Sequence, residues 1–204
     1  MKKLSYVLVI LFAIFIFYGC KKEILDDIDV DPGNISVRDN IKIENLGIVN
    51  GHSILKITND NYNDVRVKIN IGLISKEKNN EYIKNVLASS TDYLIFKNEN
   101  NDEFLYDFYT INEKDNEYFE IINSIKFTYA ESKDNLVLTV DNSYERNIII
   151  EVLVLFFNNG KLVDFDIISL PKINKSNIKN VVINKSKDKY DLVEIRVNDI
   201  KSKN

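Results

Sequence analysis

Reactive side chains are scarce in this chain. Its 204 residues include one cysteine, one histidine, six glycines, two prolines and no tryptophan. The lone cysteine, Cys20, rules out an internal disulfide, so the fold must be held by packing. The lone His52 would have to serve any Ser-His-Asp or Cys-His arrangement, because the general base there is usually histidine. It stands in Asn50-Gly51-His52-Ser53, which reads as a turn entering a strand and therefore as a surface position. One His and one Cys cannot supply a zinc site, and six glycines include no Gly-rich phosphate loop. The missing Trp removes the best carbohydrate platform. Eleven Tyr and eleven Phe, including the run Phe104 to Tyr109, read mainly as core.

Composition is that of a globular protein, 45% hydrophobic and 28% charged, with a formal net charge of −4. Acids, lysines and Asn are interspersed along the chain, which describes a solvated surface. A nucleic-acid partner would need a basic face, so none is expected.

Carboxylates are plentiful without being focused. Asp27, Asp29 and Asp31 alternate as in a calcium loop, yet Gly33 falls one place late and Arg38 stands where a bidentate Glu belongs. These residues read as solvated linker. Asp164 and Asp166 alternate on one strand and offer at most a weak cation or glycan contact. No catalytic residue, metal ligand or cofactor site is expected.

The dominant pattern from Ile41 onward has period two, the mark of half-buried strands. Val65 to Leu73 places apolar residues at every odd position. Similar runs are Ile54–Thr58, Tyr93–Lys97, Glu103–Ile111, Glu120–Tyr129, Leu136–Val140, Asn147–Phe157, Leu162–Ile168, Ile178–Ile183 and Leu192–Val197. Asn59-Asp60-Asn61 and Asn158-Asn159-Gly160 read as turns, and Asn98 to Asp102 as an enlarged hairpin turn. The stretch Ile148–Phe157 breaks the alternation, being apolar on both faces except for Glu151. It reads as a central strand covered on both sides, or one that packs an inter-domain contact.

A faint repeat runs through the pattern. Leu55-Lys56-Ile57-Thr58-Asn59 aligns with Leu138-Thr139-Val140-Asp141-Asn142, and the same offset of 83 sets Val67-Lys68-Ile69 against Ile150-Glu151-Val152. Closing strands are expected at Ser124–Phe127 and Glu194–Val197, making the first copy 13 residues longer.

The N-terminus carries a different kind of signal. Met1-Lys2-Lys3 is followed by an apolar run from Leu4 to Tyr18 and then Gly19-Cys20. That run is shorter than the ~20 residues of an untilted membrane span. It resembles the signal peptide and lipobox of a bacterial lipoprotein, with Phe17 and Tyr18 bulkier than the common pattern. The resemblance implies cleavage between Gly19 and Cys20 and attachment of a diacylglycerol to the Cys20 thiol. Removing residues 1–19 takes away Lys2 and Lys3 and no acid, leaving 185 residues with a net charge of −6. The segment Val152 to Val163 is similar, by residue type rather than identity, to the small immunoglobulin-like domains of the FxLYD type. There Val154, Phe156, Phe157 and Asn158 stand for the signature residues. That resemblance implies a sandwich presenting loops or edges.

The expected fold class is therefore all-β, with two immunoglobulin-like β-sandwich domains after a signal peptide and a flexible tether. The expected boundaries are 1–19 signal peptide, 20–40 lipidated cysteine and tether, 41–129 first domain and 130–204 second. The expected function is a lipid-anchored, extracytoplasmic protein of the cell envelope, held to its membrane through Cys20. It would act as a non-enzymatic binding or structural module with a protein or glycan partner. The alternatives are an accessory subunit stabilising an envelope complex and, behind it, a glycan hydrolase using paired carboxylates.

Overall fold

The computed structural model describes residues 40–73, 79–111 and 116–202. The chain is almost entirely β. Six strands fill the first half: β1 (Ile41–Val49), β2 (His52–Asn59), β3 (Val65–Leu73), β4 (Asn79–Val86), β5 (Ser90–Lys97) and β6 (Phe104–Ile111). After a short helix, α1 (Asn116–Asn123), the second half adds β7 (Ile125–Glu131), β8 (Asn135–Asn142), β9 (Ile149–Asn158), β10 (Lys161–Ser169), β11 (Asn177–Asn184) and β12 (Leu192–Ser202). All pairings are antiparallel, in four three-stranded sheets: β1-β2-β5, β4-β3-β6, β10-β9-β12 and β11-β8-β7.

Matching these orders strand by strand gives one topology used twice, with β7 to β12 repeating β1 to β6. Each half is a sandwich of two sheets. In the first, the odd positions of β3 bury Val67, Ile69 and Ile71 against Leu55 and Ile57 of β2 and Leu94 and Phe96 of β5. In the second, Leu136, Leu138 and Val140 of β8 meet Ile150, Val152, Val154 and Phe156 of β9 and Val193, Ile195 and Val197 of β12. Period-two alternation produces this directly, since successive side chains point to opposite sheet faces.

Strand β9 is the exception to alternation, as its composition requires. Its even residues enter the core of the second sandwich, while Leu153, Leu155 and Phe157 point the other way and are also buried. They meet Ile54 of β2 and Tyr93 of β5, with Leu46 and Val49 of β1, Ile95 of β5, and Leu162 and Phe165 of β10 packed around them. Sheets β1-β2-β5 and β10-β9-β12 thus face each other across a third apolar layer. The halves form a stack of four sheets, two inner and two outer. One edge strand of each inner sheet bulges at this seam: the register slips between Asn45 and Gly47 in β1 and between Leu162 and Asp164 in β10. At the first, Gly47 takes φ 96°, its amide held by Asn45 Oδ1 at 2.9 Å, and the extra residue Leu46 packs into the seam.

Two buried asparagines pin the crossings between sheets. Asn59 ends β2; its Nδ2 donates to the carbonyls of Asn63 (2.9 Å), Val86 (3.1 Å) and Leu87 (3.0 Å). It therefore ties the β2–β3 crossing to the β4–β5 crossing. Asn142, at the same place in β8, donates to Arg146 (3.1 Å), Ile173 (3.4 Å) and Asn174 (3.1 Å). Each Oδ1 accepts the amide two residues on, from Asn61 at 3.0 Å and Tyr144 at 3.1 Å.

Several expectations are corrected. The expected strand Glu120–Tyr129 starts inside the helix 116–123: Tyr118, Phe119 and Ile121 bury one side, and Ser124 closes the turn through its hydroxyl on the Glu120 carbonyl (2.8 Å). Segment Ser124–Phe127 does not close the first copy. From Ile125 it pairs with β8 and opens the second, and the expected boundary at 129/130 falls inside that strand. Residues 98–102 are not a hairpin turn either, because β5 pairs with β2 while β6 pairs with β3. The segment crosses between sheets, its Asn98 side chain donating to Ser53 Oγ (2.8 Å) and the Asp102 carbonyl (2.9 Å). Strands β1 and β4 are absent from the expected runs; only one residue of the first and two of the second are buried. Of the expected tether, 20–40, all but Asn40 lies outside the described residues, as does the expected signal peptide, 1–19.

Replacing Asn142 by Ala strands three carbonyls and one amide. The expected cost is about 2–3 kcal/mol of unfolding free energy, with Asn59→Ala similar, read from urea denaturation midpoints at unchanged slope.

Candidate functional site

The seam gathers the polar side chains that bridge the halves. Tyr93 lies on β5 with its ring buried against Phe157, centroids 6.4 Å apart. Its hydroxyl donates to Glu194 Oε2 on β12 at 3.0 Å. Arg196, two residues along, donates through NH2 to the same carboxylate (3.0 Å) and through Nε to the Thr91 carbonyl (3.2 Å). One carboxylate, one guanidinium and one phenol therefore close a circuit across the seam. Burial pushes the Tyr93 phenol well above its ordinary value, and the Glu194 carboxylate adds to the rise. Tyr93 is a fixed donor, with no tendency to release its proton at neutral pH. On the opposite face of β5, between the two sheets of the first sandwich, Lys84 Nζ and Asp92 Oδ2 form a buried ion pair at 3.2 Å, both side chains about nine-tenths covered.

His52 and Asp164 meet at one end of the seam. Asn50 (φ 50°) and Gly51 (φ 72°) make the two-residue turn between β1 and β2, a conformation that Asn-Gly adopts readily. Asn50 Nδ2 reaches Asp164 Oδ1 at 2.8 Å, and His52 Nδ1 lies 2.9 Å from the Asn50 carbonyl. The His52 ring packs edge-on against Phe165, centroids 5.4 Å apart. His52 is thus the first residue of β2, just past the turn its sequence context implied; it is half-buried rather than on the open surface, and its ring is a wedge between halves. Asp164 is committed to Asn50 and to the Phe165 amide, while Asp166 on the same strand is exposed. The expected pair is divided between two tasks.

The aromatic run of β6 is also divided. Phe104 and Phe108 pack on the first core, Phe104 edge-on to Phe96 at 5.0 Å. Tyr106 donates its hydroxyl to the Ile43 carbonyl (3.2 Å), and Tyr109 lies beneath the Lys68 ammonium, 5.5 Å from the ring centre. Cys20 and Gly19, with Asp27, Asp29 and Asp31, lie outside the described residues.

Two grooves border the halves. One, of about 500 Å³, sets Ser89, Ser90 and Thr91 against Ile125, Phe127 and Arg196. The other, of about 570 Å³, is lined by Asp64, Glu120, Asn116 and Asn123 beside the almost fully exposed Tyr62. It contains two carboxylates, but Asp64 Oδ1 accepts the Ala88 amide at 2.8 Å and so works as a turn anchor. Among the described residues no group of three or more His, Cys, Asp or Glu could hold a metal ion, and no helix is long and apolar enough to cross a membrane.

Sequence reasoning missed the Tyr93–Glu194–Arg196 circuit. Alternation in Leu192–Val197 marks Glu194 and Arg196 as the polar face of a half-buried strand, and nothing local announces that another sheet covers that face. Two signals bore on it: the repeat, because a second sandwich needs somewhere to dock, and the two-faced apolar run Ile148–Phe157.

No family model matches the chain, and no curated protein is detectably similar to it. Among solved structures it is similar to the crystal structure of the YadV chaperone, with 11% identity and a TM-score of 0.30, over 78% of this chain and 92% of that one. It is also similar to red sea bream transglutaminase, with 9% identity and a TM-score of 0.25, over 78% of this chain and 29% of that one. Likenesses this loose say nothing about what the chain binds.

Two results are expected from these buried polar contacts. Lys84→Met, which leaves the Asp92 carboxylate buried and unpaired, costs about 3–5 kcal/mol, and adding Asp92→Asn recovers more than half of it in the same denaturation assay. The folded state holds the Tyr93 proton more tightly than the unfolded chain, whose phenol titrates near 10. That contribution is complete below pH ~10 and is lost as pH rises beyond it. Wild type should therefore lose stability above pH ~10 more steeply than Tyr93→Phe; parallel pH profiles would show Tyr93 is not responsible.

Proposed function

We propose that the chain is a lipid-anchored protein of the cell envelope that acts as a non-enzymatic binding module, its two sandwiches carried on a tether from Cys20. The observation that carries the reading is the junction Gly19-Cys20, placed directly after the basic Met1–Lys3 and the apolar run Leu4–Tyr18. A thiol suits the attachment because sulfur is strongly nucleophilic near neutral pH. One acyl chain holds a protein only marginally; two make the attachment durable, at about 0.8 kcal/mol per buried CH₂. The body supports the reading in another way. Asp164, Tyr93, Glu194 and Arg196, side chains a reaction would first be sought among, spend polar atoms on contacts between the halves, and the ring of His52 packs on Phe165 across the same seam. The faces left to meet a partner are those of the outer sheets and the two grooves.

Metabolic labelling with a palmitate analogue tests the anchor. The wild type should take up label and sediment with membranes, and Cys20→Ser should do neither. Label retained in Cys20→Ser would remove the anchor from the account.

A further inference from the structure

The outer sheet β11-β8-β7 differs in charge from the rest of the molecule. Segments 125–142 and 170–190, which hold its strands and adjoining loops, contain eight lysines and four acids. That is a net +4 on a chain whose net is −4, so the remainder carries −8. The lysines frame the sheet rather than cover it. Lys172 and Lys175 precede β11 and Lys187 and Lys189 follow it; all four are exposed, with no acidic partner among the described residues. Of the others, Lys185 pairs with Glu131 at 2.7 Å and Lys179 donates to the Lys172 carbonyl at 3.1 Å.

Between these ends the outward face carries little charge. Cross-strand rows run Val182–Val137–Ala130 and Asn180–Thr139–Thr128, with Ile178, Asp141 and Lys126 at one end. Ile178 and Val182 are 61% and 66% exposed, more than any other exposed isoleucine or valine among the described residues. Lysine on an edge strand commonly prevents edge-to-edge pairing, but that role places the charge within the strand. Here only Lys179 lies in β11 and its ammonium is turned back to a carbonyl.

We infer that this face docks on an anionic phospholipid surface, with Lys172, Lys175, Lys187 and Lys189 at the headgroup phosphates and Ile178 and Val182 at the interfacial plane. The inference rests on the anchoring reading above, which would hold the chain within reach of a bilayer. The chemistry is that of juxtamembrane basic segments, where each lysine near an anionic surface favours the bound state about fivefold. Exposed aliphatic side chains add a smaller, charge-independent part.

The test uses the full chain as Cys20→Ser, floated with vesicles of phosphatidylcholine alone or mixed with phosphatidylglycerol. Residues 1–22 contribute equally to every variant compared, so the ratio between variants isolates the sheet. Replacing Lys172, Lys175, Lys187 and Lys189 by Gln should lower partitioning onto the anionic vesicles about 600-fold, four factors of about five, and leave the neutral vesicles unaffected. Ile178→Asn with Val182→Asn should lower it about tenfold on the anionic vesicles. Salt near 1 M should erase the lysine effect, since the screening length is then only ~3 Å. An equal loss from Lys42, Lys56, Lys97 and Lys161 changed to Gln would overturn the inference, because general charge would then be responsible. Self-association through Ile178 and Val182 in the absence of lipid, with no lysine dependence on vesicles, would overturn it in favour of a second copy as occupant. Failure of palmitate labelling removes the anchor and leaves this measurement intact, as no acyl chain is present in it.

Discussion

Two-sided burial of one strand sets the rest of the architecture. A half-buried strand can be satisfied within a single sandwich, but Leu153, Leu155 and Phe157 on β9 cannot, because the other face of that strand already fills its own core. Burying a side chain of this size stabilises by roughly 1.5–3 kcal/mol, so leaving three of them bare would be a large fraction of a domain's stability. The first sandwich supplies the cover with Ile54 and Tyr93. The bulges of β1 and β10, the Asn50–Asp164 bond and the Tyr93–Glu194–Arg196 circuit fit around that apolar layer and fix its alignment.

Within each half the same problem is solved by the same residue. A sandwich whose strands change sheets must hold its crossings together, and their backbone carbonyls need donors. One primary amide supplies two N–H groups and one acceptor in a compact planar unit, which suits a buried corner. Asn59 and Asn142 provide that unit at matching places, with acceptors four residues on and at the second crossing. Both were inside the aligned pentapeptides of the repeat, and the alignment is a structural equivalence: the residues occupy corresponding strands and make corresponding bonds.

Legibility in the sequence follows what period two can and cannot encode. Alternation fixes which side chains share a face, so the core residues of β3, β8 and β12 and the double burial of β9 were open to reading. It does not encode the neighbouring strand. Ser124–Phe127 was therefore attached to the wrong copy, and Asn98–Asp102 passed for a hairpin when it joins two sheets. Phe119 and Ile121 satisfy alternation as well as a helical stripe, which concealed α1. At the seam, polar residues such as Glu194 look alike whether they face water or another sheet. The lysine-framed outer face was visible only as scattered lysines until β11, β8 and β7 were placed side by side.

The shared layer also governs time. When the chain emerges N-terminus first, β1, β2 and β5 can pair as soon as Lys97 is available, with Ile54 and Tyr93 on a bare face. Their cover arrives with β9, about 60 residues later, a wait of roughly 3–12 s at ordinary rates of synthesis. During that interval the first half is a complete sheet arrangement with a sticky back. The order of its strands makes early folding and early aggregation rivals for the same surface, and the last half-strand of β9 decides between them.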